Sequence, residues 1–191
     1  MNNSRNTSVI VIIMLCTCLA TAQESVTEAT KWVPEYVELD EMTVVGLSSL
    51  VSMECNLIHQ LWERCGLREK EIKNIAISGV ALEVSFGYAP VLTEDKTEDV
   101  LFFDLVGLPV SSTEDIPEGM TYKVVPAHKY AKFVHRGPIS KIMDTYNYIH
   151  EVWLPQSGHE YDYEACGVEW YDERFKIESE DSEFDIYIPI K

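Results

Sequence analysis

Two short segments of this chain recur within it. Leu57-Ile58-His59-Gln60-Leu61-Trp62 is answered 91 residues later by Tyr148-Ile149-His150-Glu151-Val152-Trp153, and Phe103-Asp104-Leu105 is answered 81 residues later by Phe184-Asp185-Ile186. A chain that repeats itself on this scale folds as two copies of one supersecondary unit, each burying its apolar face against the other.

Within each half the signals run strand, helix, strand, strand. Tyr36 to Leu39 and Thr43 to Leu50 look extended, while Leu57, Ile58, Leu61, Trp62 and Cys65 recur at helical spacing over Cys55 to Cys65, with Gly66 as the stop. Ala81 to Tyr88 and Leu101 to Val110 alternate as strands about the polar turn Thr93 to Asp99. In the second half Thr121 to Val125 and Lys129 to Val134 are strands, and Ile139, Ile142, Met143, Tyr146, Ile149 and Trp153 form one apolar helical face. Pro138 suits the first turn of that helix and Pro155 ends it. Val168 to Tyr171 and Phe184 to Ile190 close the chain around the acidic turn Glu178 to Glu183. Two such units pair their sheets into a single α+β domain, a duplicated strand-helix-strand-strand fold with one antiparallel sheet and two main helices. The expected boundaries are repeat one at 34–110, a linker rich in Ser, Thr, Pro and acid at 111–119, and repeat two at 120–191.

The first 22 residues differ in kind. Met1 to Ser8 is polar with one cation, Arg5, Val9 to Leu15 is an unbroken apolar run, and Ala20-Thr21-Ala22 has the small-x-small pattern that signal peptidase needs. The expectation is a signal peptide cleaved after Ala22, a leader at 23–33, and a secreted or periplasmic protein with no membrane span after cleavage. The apolar stretch from Val9 to Ala22 is short for a span, which wants about 20 residues. A lipoprotein reading rests on Leu15 three before Cys18, with Cys16 and Thr17 poor residues for it.

Cleavage removes one cation and no acid, so 14 basic groups remain against 32 acidic ones. A surface so acidic repels polyanions and excludes a nucleic-acid-binding role, while its field attracts cations. The remaining cysteines, Cys55, Cys65 and Cys166, are odd in number, which excludes a disulfide scaffold. Cys55 and Cys65 on one helix stand about 15 Å apart, too far to bridge. Buried thiols are expected, with Cys166 the one able to find a partner.

From Pro34 to Lys191 the chain resembles the GyrI-like effector-binding domain, which also serves as the ligand-binding part of AraC-type and MerR-type multidrug regulators. The resemblance is carried by the Gly137-Pro138 turn opening a helix that ends Trp153-Leu154-Pro155-Gln156-Ser157-Gly158, by the Glu-x-Tyr strand Glu169-Trp170-Tyr171, and by the terminal Phe184 to Ile190. It implies a cleft between the repeats that accepts bulky aromatic, often cationic, compounds, with Glu169 at its centre. A carboxylate in an aromatic cleft is costly to desolvate, so a cationic guest restores what water supplied, and aromatic walls add cation–π attraction. In an empty, dry site the Glu169 pKa should rise.

Strand parity places Glu169 and Tyr171 on one face, Phe184, Ile186, Ile188 and Ile190 on a core stripe, and Asp185 with Tyr187 opposite that stripe. Glu169, Tyr171 and Tyr187 are therefore expected to line one ligand-binding surface, although alternation of this kind is also the pattern of a plainly solvated face. Tyr88 and Tyr146 are further cleft candidates, with core packing the competing role for Tyr146 on its apolar stripe. Trp62 and Trp153, at equivalent helix positions, read as anchors against the sheet, and Glu83 as a first-repeat counterpart of Glu169. Five histidines without paired ligand spacing point to no metal site, and no cofactor is implied.

The expected function is a stand-alone small-molecule-binding protein that captures amphipathic cationic aromatic compounds around Glu169. Two alternatives stay open. One is hydrolysis of strained cyclopropanoid-type electrophiles, an activity of some stand-alone family members, with Glu169 as general base. The other is haem or tetrapyrrole binding, because haem-binding proteins of the SOUL family share the duplicated architecture.

Overall fold

Alternating side chains produce eight strands among the described residues, which are 32–52, 57–92 and 98–191 of this computed structural model. They are β1 (Glu35–Leu39), β2 (Met42–Val51), β3 (Ala81–Leu92), β4 (Glu98–Val110), β5 (Thr121–Val125), β6 (His128–Arg136), β7 (Gly167–Tyr171) and β8 (Glu183–Pro189). Helix α1 (Ile58–Arg68) follows β2, and a second rod follows β6, made of α2 (Ile142–Asn147), a π-helical turn (Tyr148–Trp153) and α3 (Leu154–Ser157). The expected signal and leader, Cys55 and most of the Thr93 to Asp99 turn lie outside the described residues or in a unit separate from Pro34–Lys191.

The strands form one antiparallel sheet in the order β1-β6-β8-β7-β3-β4-β2-β5. The order is its own mirror when each strand of the first half is exchanged with its counterpart in the second, so the duplication is realised as a twofold arrangement about the β3–β7 pair. Each half also lends its first strand to the other: β1 pairs with β6 and β5 with β2.

One face of the sheet curls inward. Val37 and Leu39 from one edge strand and Val125 from the other belong to a single apolar cluster with Val44, Leu82, Val84, Leu105, Tyr130, Val168 and Tyr187, which a flat sheet could not bring together. The close approach of β2 and β4 at Gly46 and Gly107 permits this bend. A Cβ on Gly46 would sit 1.9 Å from the Val106 carbonyl oxygen, and one on Gly107 would sit 2.1 Å from that of Val45. The helices pack on the outer face. Leu61 and Cys65 of α1 are buried against Leu47 and Val106, and Trp153 packs edge-on against Phe133.

Four sequence readings are corrected here. Helix α1 continues past Gly66 to Arg68, since nothing crowds that glycine and the Arg68 guanidinium bonds to Glu71 one turn on. Pro155 does not end the second rod: the π turn before it absorbs the ring and the missing N–H, and the rod stops at Gly158, whose φ of 76° is left-handed. Met143 is exposed, and Thr145 takes the buried place because its hydroxyl serves the buried His135 ring at 2.8 Å. The repeat spacing of 81 slips by one in space. Glu83 faces Val106 as Glu169 faces Ile186, so the equivalent positions are 80 apart and Asp104 corresponds to Phe184, not to Asp185. A slip of one residue changes the face. Cys65 and Cys166 are buried free thiols.

Gly46→Ala and Gly107→Ala should each lower stability by roughly 2–3 kcal/mol, the cost of overpacking a tight site. Urea unfolding of the two variants measures this, and wild-type midpoints would show that the bend does not depend on these glycines.

Candidate functional site

Three acids stand together on the outer face, between the helices. Glu83 of β3 lies directly opposite Glu169 of β7, and β4 adds Asp104 opposite Ser85. Glu83, Asp104 and Glu169 are 9%, 1% and 6% exposed. No ion pair of the described residues reaches them; Arg174, for example, is spent on Asp172 and Asp185.

Aromatic donors take the place of cations. Tyr146 of α2 and Tyr171 of β7 each donate a hydroxyl to Glu169, one to each oxygen. Trp62 of α1 donates its Nε1–H to Oε2 of Glu83 at 2.6 Å. Each helix thus sends one aromatic donor to one glutamate. Asp104 has no aromatic donor: its polar neighbours are the Leu105 N–H and the Glu83 carboxyl, so its side-chain partner is a second acid.

Burial raises all three pKa values, and the causes rank them. Glu169 is raised by desolvation and held back by its two phenols, so its charge is the one the hydrogen bonds favour. Glu83 is pushed well above the usual carboxylate range by burial and by the negative charge of Glu169. Asp104 is pushed up to about 8 by the same two causes in the same order. Burial therefore opposes three charges here, and the two phenols favour the charge on Glu169 over the other two acids. Tyr146 and Tyr171 are themselves raised well above 10 by burial first and Glu169 second, which keeps them as donors.

A cleft of about 910 Å³ opens beside the cluster, lined by Trp62, Tyr171, Ile72, Ile77, Phe175 and Ile177 among others. Glu83 and Glu169 are not on its wall. Trp62 and Tyr171 stand in front of them in an edge-to-face contact, centroids 4.8 Å apart at 74°, and Tyr171 in turn stacks on Phe184 at 4.6 Å.

Tyr88 joins from the other end. Parity alone puts it with Leu82 and Val84 on the inner face, but a bulge at Gly87, φ 69°, shifts the register between Phe86 and Ala89. The bulge turns Tyr88 to the acid face. There its hydroxyl donates to Ser85 Oγ at 2.7 Å, meets the Tyr161 hydroxyl at 3.1 Å, and its ring stacks on Phe102. Gly167 is required at this crossing, since a Cβ would stand 2.7 Å from Ser85 Oγ.

Of the residues expected from sequence, Glu169, Tyr171 and Tyr146 are hydrogen-bonded together and Tyr88 shares their face. Tyr187 does not. It lies opposite Val168 while Ile186 lies opposite Glu169, so it belongs to the inner apolar cluster; opposed residues of an antiparallel pair share a face, and the parity expectation had them reversed. Phe184 and Ile186 correspondingly lie on the glutamate face. Trp62 is a ligand to Glu83 as well as an anchor, unlike Trp153. Asp104 and Tyr161 were missed. The repeat match held the only signal for Asp104, and it aligned that residue with the wrong partner.

Residues 35–190 match the family described as integron-associated effector binding protein. The transcriptional regulator BrlR of Pseudomonas aeruginosa is 34% identical over 157 residues, which are 81% of this chain and 54% of that protein. The chain thus spans about half the length of the curated relative it matches. Two solved structures share the fold: SAV2435 bound to tetraphenylphosphonium, at 17% identity, a TM-score of 0.65 and coverage of 83% of this chain and 93% of that one, and the integron cassette protein VCH_CASS2 of Vibrio cholerae, at 18%, 0.59, 83% and 95%.

The protonation of Asp104 fixes a sign for stability. Its pKa is raised from 3.8 to about 8 on folding, so the unfolded chain ionises first and stability falls as pH rises through that interval. Asp172, held low by Arg174, acts in the opposite sense only at more acidic pH. Urea unfolding at pH 5.5 and 8.5 should show wild type losing stability and Asp104→Asn losing about 3 kcal/mol less. Equal slopes in the two proteins would contradict the protonated state.

Proposed function

The chain belongs to the family of integron-associated effector-binding proteins, with the GyrI-like fold, and on that premise we propose that it captures amphipathic aromatic cations at Glu169. The observation that carries this reading is a buried carboxylate held by two phenols with no cationic side chain beside it. Such a charge loses its water and regains only part of that in hydrogen bonds, so a guest that brings a positive charge is favoured over a neutral one. The guest enters by parting Trp62 from Tyr171, and both rings then offer faces to the cation. The tetraphenylphosphonium held by SAV2435 is a ligand of this chemistry.

Both oxygens of Glu169 are engaged by phenols, which favours a charge partner over a general base and so binding over hydrolysis. The acidic surface fits a role apart from nucleic acid for the 34–191 unit. Export through the Met1 to Ala22 signal is part of the same proposal, placing capture outside the cytoplasm.

Calorimetry with tetraphenylphosphonium should show affinity falling about tenfold or more in Glu169→Gln, since one member of a buried charge pair is removed. Neutral triphenylphosphine oxide should bind the two proteins alike. Unchanged affinity for the cation would overturn the reading. For the export step, N-terminal sequencing of the protein recovered outside the cytoplasm should begin at Gln23; recovery of an intact Met1 there would count against cleavage.

A further inference from the structure

One acid suffices for one cation, and this site has three. Asp104 is 1% exposed, and the side chain it meets is another acid, Glu83. It sits on the same face as Glu83 and Glu169, two strands from Glu169, ~10 Å across the sheet. The groups facing the cluster are Ser49 from β2, Ser85 and Tyr88 from β3, Tyr171 from β7, Trp62 from α1 and Tyr146 from α2, with His150 stacked on Tyr146 one layer further out. None of the groups in direct contact is a cation. Structural economy does not account for Asp104: its twofold counterpart is Phe184, so the fold accepts an apolar ring at this position.

We propose that the cleft is built for ligands carrying two positive charges on one aromatic frame, with Glu169 receiving the first charge and the Glu83–Asp104 pair the second. The inference rests on the cation-binding reading above and adds the ligand's charge state to it. With one cation bound, Glu169 is neutralised and the other two acids keep their protons. A second positive charge makes it favourable for the pair to lose one proton to solvent. Glu83 and Asp104 then share the proton that remains as an acid–carboxylate hydrogen bond, which is of the strong, charge-assisted kind. The balance is one proton released per dication bound and none per monocation.

Two probes of nearly identical shape test this: N,N′-dimethyl-4,4′-bipyridinium, a dication, and N-methyl-4-phenylpyridinium, a monocation. Titration calorimetry near pH 7 should find the dication bound about tenfold tighter or more, the low end for a second close charge pair. In phosphate and Tris, whose ionisation heats differ, only the dication should show release of about one proton. Asp104→Asn and Glu83→Gln should each bring the ratio of the two affinities close to one. The wild-type proton count keeps the proposal testable if a variant fails to fold. Equal affinities in wild type, no proton release with the dication, or a preference that survives in Asp104→Asn would overturn it. If the monocation binds in a Glu169-dependent way while the dication gains nothing, this inference falls and the cation-binding reading stands. If neither probe nor tetraphenylphosphonium binds, both fall.

Discussion

Glu83 and Glu169 meet side by side at the twofold centre of the sheet, where burial penalises both charges and each opposes the other. The arrangement is tolerable because burial and the neighbouring charge push Glu83 toward its neutral form and Glu169 is hydrogen-bonded at both oxygens. Its demands reach outward. Each helix has to place one aromatic donor over the sheet, Trp62 from α1 and Tyr146 from α2, and β7 has to add Tyr171 two residues beyond its glutamate. The donors differ between the halves, indole on one side and phenols on the other, so two symmetric positions favour the charge of their acids unequally.

The two faces of the sheet divide the work. The inner face is an apolar cluster that draws on both edge strands, and it holds the sheet in a curl without polar contribution from the acids. The outer face can then carry three buried carboxyl groups that subtract from stability. Placing charge and core on opposite sides of one sheet is possible because the side-chain period of a strand is two: neighbours on β3 such as Leu82 and Glu83 serve opposite requirements one residue apart.

Much of the fold was legible in sequence. Strand alternation, the helical spacing around Leu61 and Trp62, and the twofold recurrence of one pattern predicted the elements and their class, because they follow from burying one face of each element. Glu169, Tyr171 and Tyr146 were legible too. The misses have a common cause in parity. Tyr187 was placed with Glu169 because register between β7 and β8 is not written in either strand alone. Tyr88, named as a cleft candidate from sequence, reaches the acid face only through a bulge at Gly87, whose positive φ is a backbone property of one position. Asp104 was hidden by a repeat match displaced by one residue, which exchanges the faces of a strand while leaving the similarity almost as good.

What the sequence determined by itself is which residues form strands and helices, that the chain is a duplicated unit, and that a glutamate followed by tyrosine at two residues' distance is available on a strand. These depend on spacing along the chain, and spacing is local. Tertiary structure decided that Glu83 would face Glu169, that Asp104 and not Asp185 would join them, and that Trp62 and Tyr171 would stand between the acids and the cleft. Those are consequences of register between strands far apart in the chain, and register is chosen by the packing of the whole sheet.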